Sequence, residues 1–224
     1  MRHELRSTVF VTAALFMILA SLLIIQPVYA QGNDLGESRI NPASPLYFLK
    51  SVREALEIKF AGTTRVRAYR QLEFATRRIR EVKSLIKNSR QDLISPTLER
   101  YIWHMGQLKG IVSLQDIEMV GKVSNTISAQ MDNLLAVYQQ ATNSDAKRSI
   151  RSAINRLSQW DQWLIEELVL VNQTPFVQQI AVSKLLGCNF LSKEASNSAL
   201  NEVERGVYLE RAKSCRESST LTGR

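Results

Sequence analysis

The chain has 224 residues, 45% hydrophobic and 22% charged, with 29 Lys and Arg against 21 Asp and Glu. That is the composition of a folded domain or two small ones, and it excludes a disordered, collagen-like or disulfide-dense chain. Only two histidines, His3 and His104, are present, which leaves little room for His-based metal or acid–base clusters.

The N-terminus speaks to compartment. Arg2 and Arg6 precede an uncharged apolar run over 9–25, followed by Pro27 and the small residues Val28 and Ala30. This order is that of a secretory signal, with cleavage expected after Ala30. The alternative is an uncleaved anchor, because 17 apolar residues fall just short of the ~20 that span a bilayer. In both cases residues 31–224 are expected on the exported side, in the cell envelope or secreted. Without residues 1–30 the chain carries 27 basic and 20 acidic side chains. The charge concentrates in 37–90, where thirteen Lys or Arg meet five Glu.

Residues 31–40 hold turn formers without apolar period and read as a flexible spacer before an exported domain over 41–220. Ser44-Pro45 reads as a helix start. Phe48, Leu49, Val52, Ala55, Leu56 and Phe60 then fall on one face, and Gly62 ends the helix. Thr63 or Thr64 can cap the next, in which Ala68, Leu72, Ala75, Ile79, Val82 and Ile86 form a narrow stripe. The remaining arc carries Arg65, Arg70, Arg77, Arg80, Lys83 and Lys87.

Ser95-Pro96 repeats the start signal ahead of Leu98, Tyr101, Ile102, Met105, Leu108 and Val112, with a break near Ser113. Ile117, Val120, Ile127, Met131, Leu134, Leu135 and Tyr138 continue the pattern to a turn at 143–145, where Ser144 or Asp145 is the expected cap. A helix over 146–171 is expected to bury Ile150, Ile154, Leu157, Trp160, Leu164 and Leu168. Thr174-Pro175 starts another, which Gly187 is expected to stop. A last helix over 199–216 presents Leu200, Val203, Val207 and Ala212. No alternating strand pattern occurs. The class is therefore all-α, six or seven helices in an antiparallel bundle or stacked hairpins.

Cys188 and Cys215 are an even count in an oxidising compartment. A single straight helix would hold them roughly 35–40 Å apart at 1.5 Å per residue, but the break at 196–198 lets the chain return. A disulfide is the favoured reading, two buried thiols the other. No C-x-x-C spacing points to a redox site.

The segments Asn41-Pro42-Ala43-Ser44-Pro45-Leu46-Tyr47-Phe48-Leu49-Lys50 and Phe74-Ala75-Thr76-Arg77-Arg78-Ile79-Arg80-Glu81-Val82 resemble a bacterial domain-of-unknown-function family of exported helical proteins. Its members open with P-x-S-x-L-Y-x-L-K and continue with F-A-x-x-R-L-x-E. The resemblance covers residues 41–90 and implies a helical fold and export, with no catalytic residues to carry over. Some members of that family follow an anti-sigma-like segment and one membrane span. Its second helix usually balances arginine with more glutamate than Glu73 and Glu81 supply here.

The basic arc therefore has two readings: a solvated, locally paired face, or a site for anionic lipid headgroups or envelope polymer at Arg70, Arg77, Arg80, Lys83 and Lys87. Export and the lack of a recognised signature argue against nucleic acid. Phosphate-binding loops, H-E-x-x-H and G-x-S-x-G are missing from the sequence, so no enzyme, cofactor or metal is expected. His104 is expected as a partly buried, hydrogen-bonded residue, Trp160 and Trp163 as packing, and Asp161, Glu166 and Glu167 as surface charges. Trp103 lies off the stripe of its helix, either covered by another helix or exposed as a contact for a partner or membrane surface. The function these features favour is a non-enzymatic binding or scaffold module of the cell envelope that holds a protein partner. The alternative is a binder of anionic polymer or lipid through the 65–90 helix.

Overall fold

In the computed structural model, which describes residues 34–197 and 200–221, seven α-helices follow one another: α1 (Tyr47–Lys59), α2 (Thr64–Lys87), α3 (Ile94–Lys109), α4 (Ile117–Gln140), α5 (Ser144–Leu170), α6 (Thr174–Glu194) and α7 (Glu202–Leu221). No strand occurs among the described residues. The signal or anchor read in residues 1–30 lies outside them, as does the start of the spacer.

Local chemistry sets most boundaries. Thr63 is extended and its hydroxyl accepts from the Val66 amide, starting α2. Asp116 accepts from the Met119 amide and starts α4. Asn143, rather than Ser144 or Asp145, caps α5: its carboxamide accepts from Asp145 and Ala146 at 2.8 and 3.0 Å. At the same turn, Gln91 Oε1 accepts from the Thr142 and Asn143 amides, both at 2.9 Å, and ties the α4–α5 turn to the α2–α3 turn. Ser44 and Pro45 form a turn instead of the helix start. The Ser44 hydroxyl accepts from Leu46, and α1 begins at Tyr47.

Pair contacts place the helices. Gln71 meets His104, placing α3 beside α2, and Thr76 meets Gln130, placing α4 beside α2. Ser158 lies against Gly187 and Asp161 meets Ser183 further along, so α5 and α6 run antiparallel. The continuous core draws on α2 to α7, with Leu72, Ile79, Leu85, Leu108, Ile127, Met131, Ile154 and Leu191 fully enclosed.

Two expectations about the C-terminal third change. Gly187 does not stop a helix; it sits inside α6 where α5 crosses it. A Cβ there would lie 2.3 Å from Ser158 Oγ and 2.7 Å from Met131 Cε, so the absent side chain permits close approach. In α7 the buried face is Tyr208, Ala212 and Cys215, with Leu200 buried just ahead of the helix, while Val203 and Val207 are exposed. The Cys188–Cys215 bond lies on that buried face, with the two Cα atoms 6.2 Å apart. Closing a loop of 27 residues is worth roughly 3–4 kcal/mol if unfolded-chain entropy is the source.

The described part of the spacer is held, not free. Ser38 donates its amide to Ser84 Oγ at 2.9 Å and accepts from that hydroxyl at 2.8 Å, and Leu35 donates to Asn133. The chain thus runs along α2 before α1 begins.

Candidate binding surface

Tyr47, Lys50, Glu54 and Glu57 fall on one side of α1 by helical spacing, and this polar side faces α2. Lys50 Nζ reaches Glu81 at 2.5 Å and the Ile40 carbonyl at 3.0 Å. Glu54 accepts from Arg78 at 2.5 Å and from Arg77 at 3.3 Å. Glu57 lies 3.4 Å from Arg70, and Tyr47 donates to Glu81 at 3.1 Å while accepting from Arg78 and Arg100. Arg78 is 1% exposed and Glu81 0%, so this is a desolvated ionic layer. Burial raises the Glu81 pKa despite Arg78 and Lys50, and lowers that of Lys50 despite Glu81. Burial also pushes the Tyr47 phenol up to about 12, with Glu81 adding to it.

With its polar side turned inward, α1 shows its apolar side to solvent. Glu54 is the one residue of the helix that is buried. Phe48 is 62% exposed and Phe60 at the helix end 75%; Leu49, Val52 and Leu56 are exposed between them, and Leu46 just ahead. The face read from the sequence as one apolar stripe is real, but it is not a packing face. In the arc from Phe48 to Phe60 the only charged side chain is Lys59, since both glutamates point at α2.

The five cations read as an anion site are mostly committed. Arg70 pairs with Glu73 at 2.9 Å, and Arg77 with Glu73 at 2.6 Å. Burial opposes the Arg77 charge, but Glu73, Glu54 and Glu57 outweigh it and hold the guanidinium above its ordinary value. Lys83 pairs with Asp34, and Lys87 with Glu37 at 3.0 Å. Arg80 alone of the five has no carboxylate partner among the described residues; burial, then Arg77, lowers its pKa. The carboxylates that the second helix lacks in its own sequence come from α1 and from the strap before it, residues 34–46.

Trp103 is 55% exposed, its ring edge-on to His104 at 4.9 Å. His104 itself is buried, its Nδ1 at 2.7 Å from Gln71 Oε1. Trp160 donates to the Met105 carbonyl at 3.1 Å and stands edge-on to Trp163, so this pair packs, as read. Asp161 was read as a surface charge and is fully enclosed, accepting from Ser183 at 3.0 Å, with burial raising its pKa well above the usual carboxylate range. It sits four residues after Leu157 and three before Leu164, inside the apolar stripe. Arg78 and Glu81 were missed in the same way: with Phe74 and Leu85 they form a second buried face of α2. Among the described residues no cluster of three His, Cys, Asp or Glu could hold a metal, and no helix is long and apolar enough to cross a membrane.

A family model described as Domain of unknown function (DUF5667) matches residues 39–157, a little over half of the 224. The chain belongs to the DUF5667 family. This is a domain-of-unknown-function family, as the 41–90 resemblance implied, and the match runs further, through α4 and half of α5. The DUF5667 segment contains the whole ionic layer between α1 and α2, whereas α6, α7 and the cysteine pair lie beyond it. No curated protein and no solved structure matches the chain.

Proposed function

We propose that the chain is a non-enzymatic helical binding module, exported to the bacterial cell envelope, that engages its target through the outward apolar face of α1. The observation that carries this reading is the orientation of α1, whose carboxylates are spent on α2 arginines while Phe48, Leu49, Val52, Leu56 and Phe60 stand in water. Burying a Leu or Phe side chain fully is worth about 1.5–3 kcal/mol, so leaving this row half exposed forgoes on the order of 5 kcal/mol. Contiguous exposed apolar surface of this kind marks interaction sites. The buried titratable groups support a non-catalytic role, because His104 and Asp161 are each held by a neighbouring helix. The Cys188–Cys215 bond suits an oxidising compartment. An anion site on α2 is less favoured, since Arg70, Arg77, Lys83 and Lys87 would first have to leave their carboxylates.

The test is photocrosslinking in the native envelope, with a photoreactive phenylalanine analogue in place of Val52 or, as control, of the exposed Glu210 on α7. Crosslinks to an envelope component from Val52 and not from Glu210 are expected. Equal crosslinking from both positions, or none, refutes the reading.

A further inference from the structure

Resting on that reading, we infer that the occupant of the α1 face is a lipid bilayer with anionic headgroups, on which α1 lies in the plane of the interface.

Shape comes first. The exposed row is a single helical ridge of 13 residues, about 20 Å long at 1.5 Å per residue. The helix touches the rest of the fold through its opposite, polar side, so the row stands out from the surface. A ridge with Phe at each end, aliphatic residues between and one lysine near its C-terminal end is the pattern of an interfacial helix.

Charge is complementary. Glu54 and Glu57 are turned away from the exposed arc and neutralised, so no carboxylate of α1 would face the headgroups. Arg39, Lys59 and Arg67 are exposed around α1 in sequence and have no carboxylate partner among the described residues. Such free cations favour anionic lipid and lose strength with salt.

The chain outside the described residues points the same way. The apolar run 9–25 ends nine residues before Asp34, a span of at most about 30 Å. A chain held at the bilayer by that run, whether transiently or permanently, carries α1 to the membrane surface, and the strap 34–46 delivers it there along α2.

The experiment uses the full chain reconstituted in vesicles of phosphatidylcholine and phosphatidylglycerol, with a fluorescent amino acid in place of Val52 or Glu210 and brominated lipid chains as contact quenchers. Quenching at Val52 is expected to exceed that at Glu210 by ~threefold or more, and to fall to the Glu210 level in the variant carrying Phe48→Ser and Phe60→Ser. Both phenylalanines are exposed, so this variant keeps its fold, which an unchanged thermal melt checks. Replacing phosphatidylglycerol by phosphatidylcholine should weaken the Val52 signal. Equal quenching at the two positions overturns the inference. If Val52 is unquenched yet crosslinks to an envelope protein, the bilayer is the wrong occupant and the binding face stands; if it does neither, both readings fail.

Discussion

Arg78→Met tests whether the ionic layer is what holds α1 in its inverted orientation. Arg78 is 1% exposed and bridges Glu54 at 2.5 Å, Glu81 at 3.1 Å and the Tyr47 hydroxyl. Removing one member of a buried ion pair costs about 3–5 kcal/mol, because the partner charge is left without compensation. Here Glu54 keeps Arg77 at 3.3 Å and Glu81 keeps Lys50 at 2.5 Å, which places the expected loss near the lower end, about 3 kcal/mol. For a domain of this size that lowers Tm by about 6–12 °C. Urea and thermal unfolding followed by circular dichroism, with the disulfide intact, measure it. Combining Arg78→Met with Glu54→Gln should cost at least ~1 kcal/mol less than the two single changes summed. Because α1 buries little but Glu54, trypsin should also cut after Lys50, Arg53 and Lys59 faster in the variant, through local opening rather than global unfolding. A loss below ~1 kcal/mol, additive single changes, or unchanged cleavage of α1 would refute the argument.

His104 supplies a pH signature. Burial, then Arg78, Arg100 and Arg77, push its imidazole from 6.5 down to about 3, so its contribution is present above pH 6.5 and lost as pH falls towards 3. Linkage puts the loss at up to roughly 4–5 kcal/mol; His104→Gln should flatten the stability curve in that window, and parallel curves would count against the assignment. Gly187→Ala should destabilise by about 1–2 kcal/mol, overpacking exceeding the helix-propensity gain of alanine. A smaller cost is expected in a Ser158→Ala background, since the contact to Ser158 Oγ is the closest one, and a rise in Tm on Gly187→Ala would show that α5 and α6 do not meet there.

Helix count, most core positions and the cysteine pairing were legible because each follows from a simple rule: apolar period, turn residues, and for Cys188 and Cys215 an even count with a chain break at 196–198 that lets the helix return. Ala68, Leu72, Ala75, Ile79 and Val82 are buried as their spacing indicates, and so are Ile150, Ile154, Leu157, Trp160, Leu164 and Leu168. What period alone does not carry is which groups a second neighbour covers. A helix flanked on two sides, such as α2, buries polar residues on its second face, and Arg78 and Glu81 then look like any surface i, i+3 pair. Asp161 was discounted for its charge although its position was apolar. Glycine serves both as a helix end and as a point of close approach, and at Gly187 only the neighbours Ser158 and Met131 decide between them.

The orientation of α1 is the instructive case, because an amphipathic helix has the same periodicity whichever side it packs. Apolar burial would normally decide the matter, but α2 offers α1 a surface of arginines: Arg70, Arg77 and Arg78. Docking the apolar side of α1 there would strip water from those guanidinium groups without pairing them, which costs more than the apolar burial returns. Docking the polar side leaves every one of the three with a carboxylate and puts the desolvation on Glu81 and Lys50, both pushed towards their neutral forms. The layer is therefore a device for orientation rather than a large source of stability. The arginine excess of α2, which in isolation suggests an anion site, makes physical sense as the socket that turns α1 apolar side out.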